Sequence, residues 1–421
     1  MLIEFKVTNF RSIRETQTLS MVASSDKDLV GNTFDTGIAG LPKLVRSAAI
    51  YGPNAAGKSN FMAALVFVEN MVRDSARKAQ VGEPIDIQPF RLSASNRSQD
   101  SEFELHFIAE GVRYQYGFTL NSERITSEWL TAYPFGRAQH WFSRRYDAAE
   151  KNDVYEYSPL YKKEKLYDER AGYTIASNLY LSVAVQKNSQ KLLPVFTWFQ
   201  KKLQIIPSMS RIGAGSTSNL CLEPEGKNKI LAYMNAAGIS VKNFSVDKKT
   251  FSQDDFPQYF PEELKSRLLK DGVGFDTKFL YQDNDSNNLI SFDLEDESDG
   301  TQALFAFASR WIEMLKNDQV LFVDEIDSSL HPLLVHHLVK LLNCNNSKAQ
   351  LIFTTHDTTL LSQQMLRRDQ VWFLEKDKQQ SSQLYSLAEF SPRKNEAIEK
   401  GYLNGRYGAI PFLSKLDFYG E

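Results

Sequence analysis

A short glycine-bounded stretch has the residue types and spacing of a phosphate-binding loop. It reads Gly52, Pro53, Asn54, Ala55, Ala56, Gly57, Lys58, Ser59, and it matches the pattern G-x-x-x-x-G-K-[ST]. In such loops backbone N–H groups surround phosphate oxygens, the lysine neutralises their charge, and the serine hydroxyl binds Mg²⁺. We therefore predict that this loop and the adjoining Asn60 bind a nucleotide, that Lys58 takes part in catalysis, and that Ser59 ligates the metal.

Two adjacent carboxylates supply a second part of the same chemistry. The apolar run Val320–Val323 predicts a buried strand, and it ends at Asp324 and Glu325. Open α/β sheets bind ligands beyond the carboxyl ends of their strands, which is where this strand would place both side chains. We predict that Asp324 ligates Mg²⁺ and that Glu325 acts as the catalytic base or orients the attacking water.

A histidine follows the next predicted strand along the chain. Thr354, Thr355, His356 and Asp357 end that strand at the same predicted edge as Asp324. A single histidine is more often structural, but the order strand, helix, strand after Asp324 favours a contact with the terminal phosphate. We predict a catalytic role for His356.

A group of small polar residues precedes a predicted helix and could bind a second anion. Ser298, Gly300 and Thr301 could offer hydroxyls and free backbone N–H groups to a phosphate. The alternative is an ordinary helix N-cap, in which Glu297 and Asp299 complement the helix dipole. The spacing leaves both interpretations open.

The predicted elements place the loop and the carboxylates on a parallel sheet. Residues 44 to 51 form a strand candidate that leads into the loop, and an apolar run from Ser59 predicts a buried helix. The later segments alternate between helix and strand, which predicts an α/β fold with parallel strands. These segments are QALFAFASRWIEMLK, QVLFVDEID, PLLVHHLVKLLN, AQLIFTTHD and QVWFLEK.

Antiparallel strands are predicted nearer the N-terminus. Residues 2 to 8 and 16 to 22 read as a hairpin, and residues 103 to 111 and 112 to 120 read as a second strand pair. Helices are predicted around residues 175 to 204. The sheet as a whole should therefore be mixed.

Composition excludes several classes of protein. The chain has 421 residues, of which 42% are hydrophobic and 24% charged, as in a soluble globular protein, and no apolar run approaches the ~20 residues of a membrane span. The only cysteines are Cys221 and Cys344, which indicates a reducing compartment and, without an apolar secretory signal, favours the cytoplasm. The net charge of −3 shows no overall excess of basic residues, so nucleic-acid binding is left open but is not evident.

Together the motifs resemble those of the ABC-type ATPases, whose relatives include the structural-maintenance-of-chromosomes and recombination-repair families. SDGT resembles the signature motif, VLFVDEID the Walker B motif, SSLHP the D-loop, and TTHD the H-loop. Within that group, NFRS, GPNAAGKS, ESDGTQ, DEIDSSLHP, TTHD and GRYGAIP are most similar to prokaryotic AAA-family ATPases of the overcoming-lysogenization-defect and abortive-infection type.

The resemblance implies that ATP and Mg²⁺ are the cofactors and that two subunits sandwich two ATP molecules between their heads. The signature residues Ser298, Gly300 and Thr301 would then act on the nucleotide of the partner subunit, while the loop, the two carboxylates and the histidine act within one subunit. A homodimer, or a higher oligomer, is expected.

Two further residues follow from the resemblance. A glutamine is expected to link Mg²⁺ to the signature motif, and Gln88 is preferred to Gln115 because it precedes the antiparallel strands. Either glutamine could instead be an ordinary surface or strand residue. Arg11, in the opening hairpin, resembles an arginine close to the nucleotide, and its alternative is a solvated turn residue.

The periodicity weakens from about residue 145, and together with the resemblance this predicts a division of the chain into three regions. Residues 1–145 would form the N-terminal part of an ATPase head, with the phosphate loop and an antiparallel lobe. Residues 146–285 would form an inserted, largely helical arm or regulatory region. Residues 286–421 would complete the head with the signature, Walker B, D-loop and H-loop motifs.

The expected function is an ATP-hydrolysing switch in antiphage defence. Relatives named for lysogenization carry a Toprim nuclease, and no paired D-x-D motif follows His356, so a separately encoded nuclease or toxin is the expected effector. One alternative is a DNA-repair or recombination ATPase that binds DNA directly. Another is a nucleotide-gated scaffold with little turnover.

Overall fold

The computed structural model describes most of the chain. The described residues are 1–159, 161–162, 167–209, 212–250, 252–253, 262, 265, 269, 272–328, 330–362, 365–393 and 396–411. Ser329, within the predicted D-loop segment SSLHP, lies outside them.

Strands and helices of these residues alternate along much of the chain. The strands are β1 Leu2–Thr8, β2 Gln17–Ser20, β3 Thr33–Phe34, β4 Leu44–Val45, β5 Ser47–Tyr51, β6 Ser101–Ala109, β7 Val112–Leu120, β8 Ile125–Tyr133, β9 Gln139–Asp147, β10 Asn152–Tyr157, β11 Leu203–Ile206, β12 Asn243–Thr250, β13 Val273–Gln282, β14 Leu289–Asp293, β15 Val320–Val323, β16 Gln350–Thr354, β17 Val371–Lys376 and β18 Ser382–Ser386. The α-helices are α1 Lys58–Lys78, α2 Ala94–Arg97, α3 Tyr167–Gly172, α4 Tyr180–Gln186, α5 Leu193–Thr197, α6 Gly215–Leu220, α7 Pro224–Ala236, α8 Asp299–Asn317, α9 Pro332–Asn343 and α10 Ile398–Leu403.

The chain divides into two compact units. The first comprises Met1–Pro207, Asn317–Glu325 and Leu338–Glu421, and the second comprises Ser208–Lys316 and Ile326–His337. The three regions expected from the sequence stay a prediction. In the described part of the chain, no helix combines the length and the apolar character that crossing a bilayer requires.

A six-stranded sheet forms the centre of the first unit. Its order is β11-β15-β16-β5-β17-β18, and all neighbours are parallel except β17 and β18. Strands β5, β15 and β16 are buried along their whole length. Parallel strands covered on both faces need continuous apolar sequence, which explains the run Val320–Val323. The predicted α/β fold with mixed sheets is confirmed.

A seven-stranded antiparallel sheet lies in the same unit, in the order β10-β9-β8-β7-β6-β1-β2. The predicted pairing of β1 with β2 and of β6 with β7 is confirmed. Helix α1 packs on this sheet, since Phe61 of the helix meets Phe5 of β1 with ring centroids 5.4 Å apart. The same core cluster includes Phe322 and Ile352 of the parallel sheet, so both sheets contribute to the core around α1.

One region differs from the sequence expectation. Helices are predicted up to about residue 204, but Leu203–Ile206 is a strand that pairs in parallel with β15. The run LQII suits this position because β-branched and leucine side chains fill a buried strand next to other apolar strands. As a consequence, β15 is an internal strand rather than the edge of the sheet.

Buried carboxylates tie the antiparallel sheet together. Glu128 of β8 is fully buried and accepts hydrogen bonds from the backbone N–H groups of Tyr180 and Leu181, at 2.6 and 2.9 Å, at the start of α4. Glu104 of β6 accepts hydrogen bonds from Lys6 and Gln115, at 3.1 and 2.8 Å. Burial alone would raise the pKa of Glu104, but hydrogen bonds from His106, Gln115 and Lys6 hold that pKa at about 2.

The second unit has its own small core. It contains the three-stranded antiparallel sheet β12-β13-β14 together with α6, α7 and α8. Phe244 of β12, Phe279 of β13 and Phe305 of α8 are in mutual contact, with centroids 4.9 to 5.3 Å apart. These aromatic contacts fix the sheet against the helix that carries the SDGT motif.

Candidate functional site

The phosphate-binding loop connects the end of β5 to the start of α1, as the sequence predicts. Both of its glycines are required by the local geometry. A Cβ at Gly52 would lie 2.2 Å from the carbonyl oxygen of Leu374 in β17, and Gly57 has a φ of +111°. Neither close backbone approach nor this left-handed φ suits a residue with a side chain. The loop therefore curves tightly into the first turn of α1, whose backbone N–H groups carry the partial positive charge of the helix N-terminus.

Lys58 lies inside this curve. Its side chain is buried, and Nζ donates to the carbonyl oxygens of Gly52 and Pro53 at 2.7 and 3.3 Å. Ser59, the next residue, is exposed. The loop carbonyls thus hold the ammonium inside the loop, whereas Ser59 is accessible at its surface.

The two carboxylates follow β15, as predicted, and a threonine of the neighbouring strand organises them. Thr354, at the end of β16, donates from Oγ1 to Asp324 Oδ1 at 2.6 Å and accepts from the backbone N–H of Glu325 at 2.7 Å. Asp324 is buried, whereas Glu325 is exposed and has a φ of +50°. One threonine hydroxyl therefore fixes both the buried carboxylate and the backbone turn that exposes the second one.

Strand pairing connects these carboxylates to the phosphate loop. Thr354 of β16 pairs with Ile50 of β5, one residue before the end of that strand, and Thr355 donates its N–H to Ile50 O at 3.2 Å. The ends of β15, β16 and β5 consequently meet at one edge of the parallel sheet. This is the position predicted for Asp324, Glu325 and the loop.

His356 lies beside the loop. It is exposed and lines a cleft of about 760 Å³ together with Gly52 to Ala56. The lining of this cleft also includes Tyr402, Ile410 and Pro411 from the C-terminal segment. The structure thus brings His356 and the loop together, as the sequence suggests.

The segment GRYGAIP is held in place by the parallel sheet. The ring of Tyr407 stacks on Phe373 of β17, with centroids 6.0 Å apart, and Tyr385 of β18 donates to Tyr407 O at 2.8 Å. Ala409 N donates to Glu375 Oε2 at 2.7 Å. These contacts explain why residues so far along the chain form a wall of the cleft beside the phosphate loop.

Arg11 and Gln88 lie next to each other. The backbone N–H of Arg11 donates to Gln88 O at 2.7 Å, and both side chains line a groove of about 470 Å³ with Asn60 of α1. No contact between Gln88 and Asp324 is found among the described residues. Gln115, the alternative glutamine, lies in β7 and donates to Glu104 at 2.8 Å, as a strand residue would.

The signature residues lie in the second unit, at the start of α8. Ser298 accepts a hydrogen bond at Oγ from Thr301 N at 3.3 Å, and the two hydroxyls are 3.0 Å apart. Gln302 Nε2 donates to Glu297 O at 2.8 Å. This is the N-cap arrangement that the sequence left open, and Gly300 is the second residue of the helix.

Sequence reasoning missed three hydroxyl groups around the site. Thr354 was visible as the first residue of the TTHD motif, but its contacts with Asp324 and Glu325 depend on the pairing of two strands. Ser382 donates to Ala56 O of the phosphate loop, and Ser12 accepts from Asn60 just beyond the loop, so both reach it from distant parts of the chain. Ser12 ends the NFRS motif, but that motif does not indicate a contact with the loop, and no local pattern marks Ser382 at the start of β18.

The fold and the site together define a class of protein. A G-x-x-x-x-G-K-S loop between a parallel strand and a helix, followed by an Asp–Glu pair at the end of a nearby strand, is the arrangement of P-loop nucleoside triphosphatases. The chain belongs to the family described as "AAA domain, putative AbiEii toxin, Type IV TA system", whose model matches residues 47–187 and 221–362. No curated protein matches the chain.

Solved structures of SMC heads are similar to the chain. An SMC head bound to the C-winged helix domain of ScpA is 14% identical, with a TM-score of 0.41 over 91% of this chain and 97% of that chain. The SMC head domain from Thermotoga maritima is 14% identical, with a TM-score of 0.40 over 91% and 98%. An Smc head with an extended coiled coil, bound to the C-terminal domain of ScpA derived from Pyrococcus furiosus, is 15% identical, with a TM-score of 0.37 over 93% and 97%.

Proposed function

We propose that this protein binds and hydrolyses ATP with Mg²⁺ and acts as a nucleotide-dependent switch that controls a separately encoded effector in prokaryotic antiphage defence. The observation that carries the ATPase part is the meeting of the phosphate loop, Asp324 and Glu325 at one edge of the parallel sheet, joined by Thr354. Membership of the AAA-domain family supports the same assignment.

The residues at the loop suit the triphosphate. Backbone N–H groups of residues 54 to 59 and the N-terminus of α1 bind phosphate oxygens, and Lys58 moves its ammonium from the loop carbonyls to the β- and γ-phosphates. Arg11 and Asn60 line the adjoining groove and approach the nucleotide from that side. The binding energy is largely electrostatic, as expected for a polyphosphate ligand.

The donor set fits Mg²⁺, which takes oxygen ligands from one or two carboxylates and from substrate phosphates. Ser59 would offer an exposed hydroxyl, and Asp324 would offer its carboxylate, which the hydrogen bond from Thr354 orients. Gln88 is the third proposed ligand. When bound, the ion neutralises charge that develops on the transferred phosphoryl group.

Glu325 and His356 act on the reacting groups. The exposed carboxylate of Glu325 accepts a proton from the attacking water or orients it, and its backbone is fixed by the hydrogen bond to Thr354. His356, on the cleft beside the loop, donates a hydrogen bond to the γ-phosphate. Phosphoryl transfer needs this positioning and charge neutralisation more than it needs covalent chemistry.

The switch requires a second subunit. We propose that Ser298, Gly300 and Thr301 close over the nucleotide of a partner in a head-to-head homodimer, so that hydrolysis depends on association. The start of α8 supports this role because a helix N-terminus favours an anion, and the Ser298 and Thr301 hydroxyls, which contact each other here, lie at that terminus. The family description names a putative toxin of a type IV TA system, which supports a role in a toxin-based system.

The experiment is steady-state ATP hydrolysis by the purified chain at a series of protein concentrations. Glu325→Gln should retain ATP binding and lose turnover, and Lys58→Ala should lose both. The exposed residues Glu123 and Lys27 provide matched controls, Glu123→Gln and Lys27→Ala, which should behave like the wild type.

The rate per molecule should fall as the protein is diluted into the monomeric range. Unchanged turnover in Glu325→Gln or Lys58→Ala would refute the ATPase assignment, and a rate independent of dilution would refute the dimer.

A further inference from the structure

Three side chains form a continuous chain of hydrogen bonds around the phosphate loop. Asn60 Nδ2 donates to Ser12 Oγ at 2.8 Å, Ser12 Oγ lies 2.9 Å from Ser382 Oγ, and Ser382 Oγ donates to Ala56 O at 2.7 Å. Asn60 belongs to α1, Ser12 to the turn between β1 and β2, and Ser382 to the first position of β18. The two ends of this series of hydrogen bonds, Ala56 and Asn60, both belong to the phosphate-binding segment.

The direction of each hydrogen bond follows from the chemistry. A carbonyl oxygen only accepts, so the single proton of Ser382 points to Ala56 O. Ser12 must then donate to Ser382 Oγ, and its own oxygen accepts from the amide of Asn60. Each hydroxyl therefore donates once and accepts once. Such a fully satisfied chain of polar groups holds its members in one arrangement.

The chain of hydrogen bonds spans the residues with the most direct proposed contacts to phosphate. Gly57, Lys58 and Ser59 lie between its two ends. The hydroxyls also pack directly on Gly57, since a Cβ there would lie 2.2 Å from Ser382 Oγ and 2.8 Å from Ser12 Oγ. The glycine is thus required for close packing by the two serines as well as for its φ of +111°.

Backbone hydrogen bonds fix the two serines to each other. Ser382 N donates to Ser12 O at 2.8 Å, and the neighbouring Arg14 N donates to Ser381 Oγ at 3.2 Å. Ser382 is fully buried. The side chains that reach the loop are therefore carried by a joined pair of elements, the β1–β2 turn and β18, rather than by mobile surface residues.

We propose that Ser12, Ser382 and the amide of Asn60 form a bracket that sets the backbone conformation of the phosphate loop, with Ser382 as its principal positioning residue. The bracket touches no reacting atom. It holds Gly57, Lys58 and Ser59 so that their N–H groups converge on one anion before the nucleotide arrives. The inference rests on the proposed ATPase function and assigns positioning roles to Ser12 and Ser382 that the sequence analysis does not give them.

The test compares Ser382→Ala and Ser12→Ala with Ser386→Ala, a matched control at the other end of β18. Ser386 is also buried, but its hydroxyl accepts from Ala388 N and does not reach the loop. Loss of one neutral hydrogen bond should raise KM for ATP by about fivefold to tenfold in Ser382→Ala. Because the bracket acts on ground-state and transition-state binding alike, kcat at saturating ATP should stay within about twofold of the wild type.

Two further measurements separate positioning from general destabilisation. Amide hydrogen exchange in residues 52 to 61 of the nucleotide-free protein should be faster in Ser382→Ala and unchanged in Ser386→Ala. The double variant Ser12→Ala/Ser382→Ala should raise KM no more than Ser382→Ala alone, because both substitutions break the same chain of hydrogen bonds.

The outcomes are distinguishable. If the wild type hydrolyses ATP and Ser382→Ala matches Ser386→Ala in KM and in exchange of residues 52 to 61, the bracket is refuted and the proposed function stands. If the wild type does not bind ATP, the proposed function fails, and hydrogen exchange alone still decides whether the bracket orders the loop. A fall in kcat with unchanged KM in Ser382→Ala would also overturn the positioning role.

Discussion

Replacing Thr354 by valine tests how the two carboxylates are held. The hydroxyl of this buried residue donates to Asp324 Oδ1 at 2.6 Å and accepts from Glu325 N at 2.7 Å. Valine has nearly the same shape as threonine, but its side chain can neither donate nor accept a hydrogen bond. Thr354→Val therefore removes the only described hydrogen bond to the buried carboxylate of Asp324 and leaves one backbone N–H without this acceptor.

The expected magnitude follows from these two contacts. A hydrogen bond to a charged group contributes about 1.5–3 kcal/mol, and an unsatisfied buried N–H costs about 1–3 kcal/mol. Since Glu325 N is only partly buried, we expect Thr354→Val to lower the free energy of unfolding by about 2–4 kcal/mol. If the loss of these contacts raises the activation free energy of hydrolysis by about 1.4–2.8 kcal/mol, turnover should fall roughly tenfold to a hundredfold.

The assay combines urea denaturation with steady-state ATP hydrolysis at saturating ATP. Thr354→Ser is the matched control because it keeps the hydroxyl and loses one methyl group, which costs about 1 kcal/mol of stability. It should retain most of the turnover. A folded Thr354→Val protein with wild-type turnover would refute the reasoning, and so would a Thr354→Ser protein as inactive as Thr354→Val.

Three other predictions follow from the structure. Gly52→Ala should destabilise the protein by about 1–3 kcal/mol and weaken ATP binding, measured by urea denaturation and nucleotide titration, because its Cβ would lie 2.2 Å from Leu374 O. The folded protein lowers the pKa of Glu104 to about 2, so the contribution of its carboxylate to the free energy of unfolding is complete above the unfolded pKa of about 4.5. This contribution is lost as the pH falls from about 4.5 towards 2. Glu104→Gln should therefore reduce the dependence of the free energy of unfolding on pH over that range. Duplex DNA should show no affinity that falls steeply with salt, in a fluorescence titration from about 50 to 200 mM salt; a steep fall would favour the DNA-repair alternative.

The parts of the fold that depend on local sequence could be predicted. The run Val320–Val323 is apolar throughout because a central parallel strand is covered on both faces, and the loop pattern fixes the strand before it and the helix after it. The positions of Asp324, Glu325 and His356 followed from the same rule, since each is the first or second residue after a buried strand. Their roles in catalysis stay predictions.

The parts that depend on distant pairing could not be predicted. Strand β11 has a short sequence, LQII, that suits either a helix end or a strand, and only its pairing with β15 decides between them. Ser382 reaches the phosphate loop although 326 residues separate it from Ala56. The neighbours of Gln88 could not be predicted either, because its contact with Arg11 depends on how the opening hairpin packs against a loop beyond α1.

The order of strands in the parallel sheet has a consequence for synthesis on the ribosome. Strand β5, which leads into the phosphate loop, has β16 and β17 as its neighbours, and a hydrogen bond from Gln350 to Val45 O spans 305 residues. At about 5–20 residues per second, the nascent chain waits roughly 15–60 s before these partners are made. Until then the apolar segment SAAIY has no sheet to join, so N-terminal fragments that end before β16 should aggregate or recruit chaperones.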